Sequence, residues 1–411
     1  MISNHKRLRY ACYTSSASMS IVGNLSPLLF LTFHSLYDIS YSLLGLLVLI
    51  NFCTQLGIDL VFSFFSHKFN ISKTVKVMPL LTVLGLGIYA LWPYLFPNHV
   101  YIGLLLGTIV FSASAGLSEV LLSPIIAALP AKDPDREMSK LHSVYAWGVV
   151  FVIIVATVFL FFFKNENWQS LALLFVIIPT VSAILFFGAE IPDISSSGEK
   201  GSPARELLSS SSLWLCFFAI FLGGAAECTM AQWGSGYIEL AFGIPKIWGD
   251  IFGMALFAAM LGFGRSLYAK IGKNIGRVLF LGAIGATVCY LTAAVSSIPI
   301  VGLFACAFTG FCVSVMWPGC LVVASDRFPK GGVFIYAMMA AGGDLGASVV
   351  PQLIGIATDT VSAIPFTSNL AKSFGMFPEQ FGMRLGMLMG MLFPLVGIFL
   401  YFRIMRSRNK K

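Results

Sequence analysis

The sequence predicts an all-α membrane protein of twelve transmembrane helices in two pseudo-symmetric six-helix bundles. Three observations lead there. Of 411 residues, 57% are hydrophobic and 11% are charged, where a soluble domain carries about 25% charged residues. The apolar residues fall into twelve continuous runs. A polar stretch after the sixth run divides the chain six plus six. No soluble fold can hide so much apolar surface, so most side chains must meet lipid or each other.

The runs lie at 9–35, 40–66, 74–96, 100–129, 138–163, 167–188, 210–239, 247–270, 275–295, 298–325, 331–357 and 381–404. About 20 apolar residues cross a bilayer as a helix. Each span must close its own backbone hydrogen bonds, which requires helix. A β-barrel would need short alternating strands, and these runs are continuous. The first run is too long for a cleavable signal peptide and lacks a small-residue cleavage site. The polar stretch 189–206, AEIPDISSSGEKGSPARE, is read as a cytoplasmic linker between an N-terminal bundle, 1–188, and a C-terminal bundle, 207–411.

Charge sets the orientation. With the N-terminus inside, 22 of the 26 Lys and Arg residues fall in inside segments. Only Lys164, Lys246, Lys372 and Arg384 fall outside. So strong a positive-inside bias places both termini in the cytoplasm of a multi-pass protein of the plasma or bacterial inner membrane. The net charge of +8 therefore follows from topology and is no argument for a nucleic-acid partner.

The halves echo one another weakly. Ser123-Pro124 in the fourth span corresponds to Trp317-Pro318 in the tenth, and Asn24 in the first to Glu227 in the seventh. Halves related by an axis along the membrane normal suggest a transporter with its solute site at the midplane between them. The 39 glycines, many inside spans, let helices approach closely. All eight cysteines fall in spans, with no Cys-x-x-Cys pair and no histidine at metal-ligand spacing. They read as small buried hydrophobes, and no metal or cofactor is expected.

Ionisable groups in hydrocarbon are costly, so each one is a functional hypothesis. Glu119 lies five residues before Pro124, with no cation three or four positions away. A carboxyl at that depth can load a proton on one side and release it on the other, or it can tie helices together. Asp344, in Gly342-Gly343-Asp344-Leu345-Gly346, is a second coupling acid or a structural partner. His142 and Tyr145 open the fifth span on one helical face with Trp147 close by. Histidine, phenol and indole suit a sugar, through hydrogen bonds to hydroxyls and a plane for its C–H face. Asn51 and Gln55 share a face of the second span, and amides offer both donors and acceptors. Asp59, one turn further, is either a ligand or a gate group. Glu227, Gln232 and Trp233 are candidate lining residues of the seventh span, with Asn24 and Trp317 beside them. Arg265 is near enough to the cytoplasmic end to snorkel and reads as a gate charge.

Twelve spans in six plus six, with a basic loop between the eighth and ninth, resemble the major facilitator superfamily. Its loop signature, Gly-x-x-x-Asp-Arg-x-Gly-Arg-Lys, aligns with Ser63-Phe64-Phe65-Ser66-His67-Lys68-Phe69-Asn70. Ser63, His67 and Asn70 replace the glycine, the aspartate and the turn glycine. Asn tolerates a left-handed turn, so the bend is expected to survive. Over 112–150, Glu119…Ser123-Pro124 followed by Lys140-Leu141-His142 is similar to the fucose:proton symporter family. The resemblance implies proton coupling at Glu119 and a sugar ligand at His142. The family's acidic group in the first span is absent, because that segment reads Asn24-Leu25-Ser26-Pro27.

These readings predict a monomeric secondary active transporter of a sugar or sugar-like solute, coupled to protons by alternating access in the bilayer. Glu119 and Asp344 are the coupling acids. Asn24, Asn51, Gln55, His142, Tyr145, Glu227, Gln232, Trp233 and Trp317 line the site, and Asp59 and Arg265 gate it. Two other functions stay open: a proton-coupled exporter of amphipathic compounds, and a transport-deficient solute sensor. An enzyme is not expected. No Gly-x-Ser-x-Gly elbow occurs, and His34 and Asp38 are too close for a His-x-x-x-x-Asp acyltransferase motif.

Overall fold

The computed structural model describes residues 4–65, 68–130, 134–192, 207–271, 274–328 and 332–408. Among them, ten helices are long and apolar enough to cross a membrane, and two bent pairs bring the number to twelve. The chain runs through α1 (Asn4–Leu28), α2 (Phe30–Tyr37), α3 (Tyr41–Phe65), α4 (Ile71–Leu95), α5 (Val100–Ala128), α6 (Pro134–Phe163), α7 (Trp168–Phe175) and α8 (Ile177–Phe187). After the linker come α9 (Ser211–Phe242), α10 (Leu256–Ile271), α11 (Ile275–Val295), α12 (Pro299–Val313), α13 (Met316–Arg327), α14 (Gly332–Ala363), α15 (Pro365–Ser373) and α16 (Pro378–Arg408). The linker from 193 to 206 lies outside the described residues.

Local chemistry sets the boundaries. Proline opens α6, α12, α15 and α16, where its missing N–H costs nothing. Asn70 caps α4 by accepting from Lys73 N, and Asn274 caps α11 by accepting from Arg277 N. Asn70 has φ −79° and ψ 97°. It is thus an extended N-cap, and the left-handed turn expected there does not form. The side-chain oxygen supplies the reason, since it satisfies a helix N–H that a turn glycine cannot. Gly243 ends α9 at φ 64°, the left-handed conformation glycine adopts without strain. α1 bends by 46° into α2 just after Pro27, and α14 turns by 89° into α15 at Pro365. Ahead of α10, Gly249–Ala255 widens into a π-helical segment.

Two units result. One comprises Met1–Thr32 and Ile50–Lys200, the other Phe33–Leu49 and Gly201–Lys411. In the first, α4 packs on α5 through bare backbone. A Cβ on Gly107 would lie 2.7 Å from Tyr89 Cβ, and one on Gly85 would lie 2.6 Å from Phe111 N. Fully buried Tyr89 shares a 2.9 Å hydrogen bond with Ser26 of α1. Thr82 donates to Ser114 at 2.7 Å.

In the second unit, α9 and α14 meet at Gly224, Gly343 and Gly346. A Cβ on Gly346 would strike the Phe221 carbonyl oxygen and stand 2.9 Å from Ala225 N. Both obstacles are backbone and cannot rotate away. Gly346→Leu is therefore expected to force the helices apart, at about 2–3 kcal/mol or more. A fall of several degrees in the melting temperature of the solubilised protein checks this. Gly57→Ala is the control, because a Cβ there meets nothing within 4 Å.

Candidate solute and proton site

In the first unit, a polar seam joins α3 to α5. Asn51, Gln55 and Asp59 recur every fourth residue on α3. Ser112, Gly116 and Glu119 face them from α5. Gly116 brings the backbones together, since a Cβ on it would lie 3.1 Å from Gln55 Cα. Ser112 Oγ donates to Asn51 Oδ1 at 2.5 Å, and Gln55 Nε2 donates to the same oxygen at 3.2 Å. Both amides are buried; Asn51 ties α3 to α5 through Ser112, and Gln55 braces Asn51 from within α3. Below them Asp59 is 2% exposed, and its carboxylate lies within 4.8 Å of that of Glu119. Glu119 is exposed and makes no hydrogen bond or cation pair among the described residues.

Expectation assigned Asp59 to a gate and Glu119 to coupling, yet the two form one acid pair. Two carboxylates so close repel when both are charged, and a shared proton removes that repulsion. Ser118, on the α5 face turned toward α1, meets Ser15 at 3.3 Å. Asn24 is buried, and its amide donates to Ser20 O at 2.8 Å within its own helix. Ser20 Oγ donates to Tyr145 O at 2.8 Å. The half-buried Tyr145 ring ends over Gly23, its hydroxyl 3.6 Å from where a Cβ would stand. His142 belongs to α6, but its side chain lies outside what is described, as do those of Ser123 and Pro124. His67 of the loop signature also falls outside the described residues.

In the second unit, Arg265 of α10 pairs with Glu227 near the middle of α9. Its Nη2 donates to both carboxylate oxygens, at 2.9 and 3.1 Å. Its Nε donates to Ser314 O at 3.0 Å. That carbonyl precedes Pro318 by four residues, and proline has no N–H to occupy it. The tenth-span proline thus frees the acceptor that aims the guanidinium. The side chains of Arg265 and Glu227 are 36% and 14% exposed, so the pair is solvent-reached on the Arg side. Half-buried Trp317 lies against the bare Cα of Gly343. The neighbouring Asp344 is 3% exposed.

Gln232 and Trp233 sit deeper. Trp233 is fully buried, donates from Nε1 to Pro351 O at 2.9 Å, and tilts against Tyr41 with centroids 6.4 Å apart. It clamps α9 to α14. Expected as independent elements, a lining residue and a gate, Glu227 and Arg265 emerge as one charge-neutral pair.

Sequence reasoning missed three residues of the second unit. Asp359 of α14 receives Tyr41 N at 3.1 Å, Ser42 N at 2.7 Å and Ser42 Oγ at 2.5 Å. It caps the N-terminus of α3 from another helix, supplying orphan donors with an acceptor. Asp250 is 1% exposed, held by Ser235 and by Lys246 at 3.1 Å. Arg384 is buried and donates to the carbonyls of Ala294 at 2.9 Å, Ser296 at 2.7 Å and Ala241 at 3.3 Å. It thereby gathers the carbonyl ends of α9 and α11 onto α16. The unmatched N–H groups at the start of α3 were the one signal available for Asp359.

Solved structures with this fold carry solutes across membranes. A bacterial homolog of the human lysosomal transporter Spinster, in an inward-facing conformation, is 14% identical with a TM-score of 0.72, covering 100% of this chain and 98% of its own. The D-xylose-proton symporter is 14% identical with a TM-score of 0.70, over 95% of this chain and 96% of its own. The E. coli fucose:proton symporter is 13% identical with a TM-score of 0.58, over 96% and 98%. A search of curated protein sequences finds no match. The Major Facilitator Superfamily model matches residues 11–351, and with the twelve-span helical architecture this places the chain in the major facilitator superfamily of membrane transporters.

Proposed function

We propose that this chain is a monomeric secondary active transporter that takes up a sugar or sugar-like solute by proton symport and alternating access. It would work in a cell membrane with both termini in the cytoplasm. The observation that carries the reading is the Asp59–Glu119 pair: two carboxylates within 4.8 Å, one buried and one exposed, at membrane depth. Such a pair can take up one proton from the accessible side through Glu119 and hold it against Asp59. Asp344 serves as a second acid of the coupling route.

The solute meets the part-exposed groups. Trp317 and Tyr145 offer aromatic faces to sugar C–H surfaces, and Glu227 with Arg265 offers acceptors and donors to hydroxyls. His142 adds a further polar contact at the start of α6. Asn24, Asn51, Gln55, Gln232 and Trp233 are buried, and Asn51 and Trp233 tie neighbouring helices together. The sugar class rests on the Glu119…His142 resemblance and on these aromatic and polar groups together.

Proteoliposomes holding the protein, with an inward proton gradient, test the reading. A panel of labelled monosaccharides should contain one that accumulates, with dissipation of the gradient abolishing the accumulation. Proton-driven extrusion of lipophilic compounds, with no sugar taken up, would replace this function with the exporter. Saturable binding with neither uptake nor counterflow would replace it with the sensor.

A further inference from the structure

A groove runs between α4 and α8 of the first unit. Leu80 and Val83 form one wall, and Thr180, Ala183, Ile184 and Phe187 the other, around about 560 Å³. Thr180 to Gly188 covers about 12 Å of helix axis at 1.5 Å per residue. Half the hydrocarbon core of a bilayer is about 15 Å thick. Leu80, Ile184 and Phe187 are exposed, so the walls open toward the bilayer.

One end of the groove is closed by Arg7. Its Nε donates to Leu185 O at 3.1 Å and its Nη2 to Ile184 O at 3.0 Å. These carbonyls belong to the last turn of α8, which lacks intrahelical donors and carries the negative end of the helix dipole. Gly188 makes room for the guanidinium, since a Cβ there would overlap its Cζ and Nη2. Two of the three nitrogens are thus engaged, and among the described residues Nη1 bonds to nothing and no carboxylate pairs with Arg7. Glu190 stands nearby, its main chain bonded to Asn4 at 3.0 and 2.9 Å, and its one carboxylate leaves the two cations Arg7 and Lys76 in excess. Lys76 lies one turn before Leu80 on α4, at the same end. The Lys and Arg distribution assigns that end to the cytoplasm.

We propose that the α4–α8 groove binds an anionic phospholipid of the cytoplasmic leaflet. One acyl chain would lie between the two helices, with the phosphate on Arg7 Nη1 and Lys76 beside it. The length matches one leaflet, and the charge left at the mouth is positive. A guanidinium held in a fixed orientation suits phosphate oxygens. Basic pockets between membrane helices on the cytoplasmic side recognise anionic head groups. The lipid would fasten the first turn of α1 to the last turn of α8.

Native mass spectrometry of the full chain, exchanged into phosphatidylglycerol or phosphatidylcholine, tests this. The wild-type protein should retain phosphatidylglycerol about tenfold more than phosphatidylcholine. Arg7→Gln and Val83→Trp should each lower phosphatidylglycerol retention about tenfold, and Lys6→Gln, which does not line the groove, should not. Val83→Trp fills the groove while leaving both carbonyl bonds of Arg7 in place, so its effect is not loss of a helix cap. Equal retention of the two lipids by the wild type overturns the proposal. So does undiminished phosphatidylglycerol in either variant. Arg7→Gln that lowers thermal stability equally in both lipids, with retention unchanged, would make the guanidinium a helix cap alone.

Discussion

Glu119→Gln should abolish proton-driven accumulation of the solute while leaving its exchange across the membrane intact. A gradient of one pH unit stores about 1.4 kcal/mol per proton, enough for about tenfold accumulation at one proton per solute. Glutamine copies the shape of a protonated glutamate but cannot release the proton. The variant should therefore equilibrate solute to a ratio near one and still catalyse counterflow of labelled against unlabelled solute. Asp59→Asn should weaken coupling by the same route, because it removes the charge that holds the proton near Glu119. Asparagine keeps the volume of Asp59 within the α3–α5 seam, so loss of folding is not the expected cause. Wild-type accumulation by Glu119→Gln would end the coupling role. Equal loss of accumulation and counterflow would make Glu119 a solute contact or a packing residue instead.

The spans were legible because the bilayer dictates them. An apolar run of fixed length has one way to satisfy its backbone, and the helix at 275–295 coincides with its run. The acids at membrane depth were legible for the same reason, since each is expensive there. Their pairing was not. Asp59 and Glu119 sit in different helices, and Glu227 and Arg265 are 38 positions apart, so only helix adjacency decides who meets whom. Trp317-Pro318 did carry readable information: a proline frees the carbonyl four residues earlier, and a long cation on a neighbouring helix is a natural donor. Asp359 was hidden by a boundary. The apolar run stops at 357, but α14 continues to Ala363, which turns a loop residue into a helix-borne cap. Asn51, Gln55 and Trp233 show the opposite difficulty. Polar groups in a membrane helix suit a ligand and a neighbouring helix equally well, and burial is what separates the two.

The Glu227–Arg265 pair allows that separation to be measured. Removing one partner strands a charge between α9 and α10, near the Ser314 carbonyl. Breaking a fully buried pair costs about 3–5 kcal/mol. Because Arg265 is about a third exposed, water screens it and the expected cost is smaller, about 1–3 kcal/mol. Glu227→Gln and Arg265→Gln should each lower the melting temperature, and the double variant should recover most of the loss. Recovery would give a favourable coupling energy in a double-mutant cycle. Transport then decides the role. If the pair contacts solute, the double variant is stable yet inactive, with the apparent Kd for solute raised at least tenfold. If the pair only ties α9 to α10, stability and transport return together. Glu227 and Arg265 would then join Asn51 and Trp233 as residues that fix the helices, leaving half-buried Trp317 as the solute-facing group of the second unit.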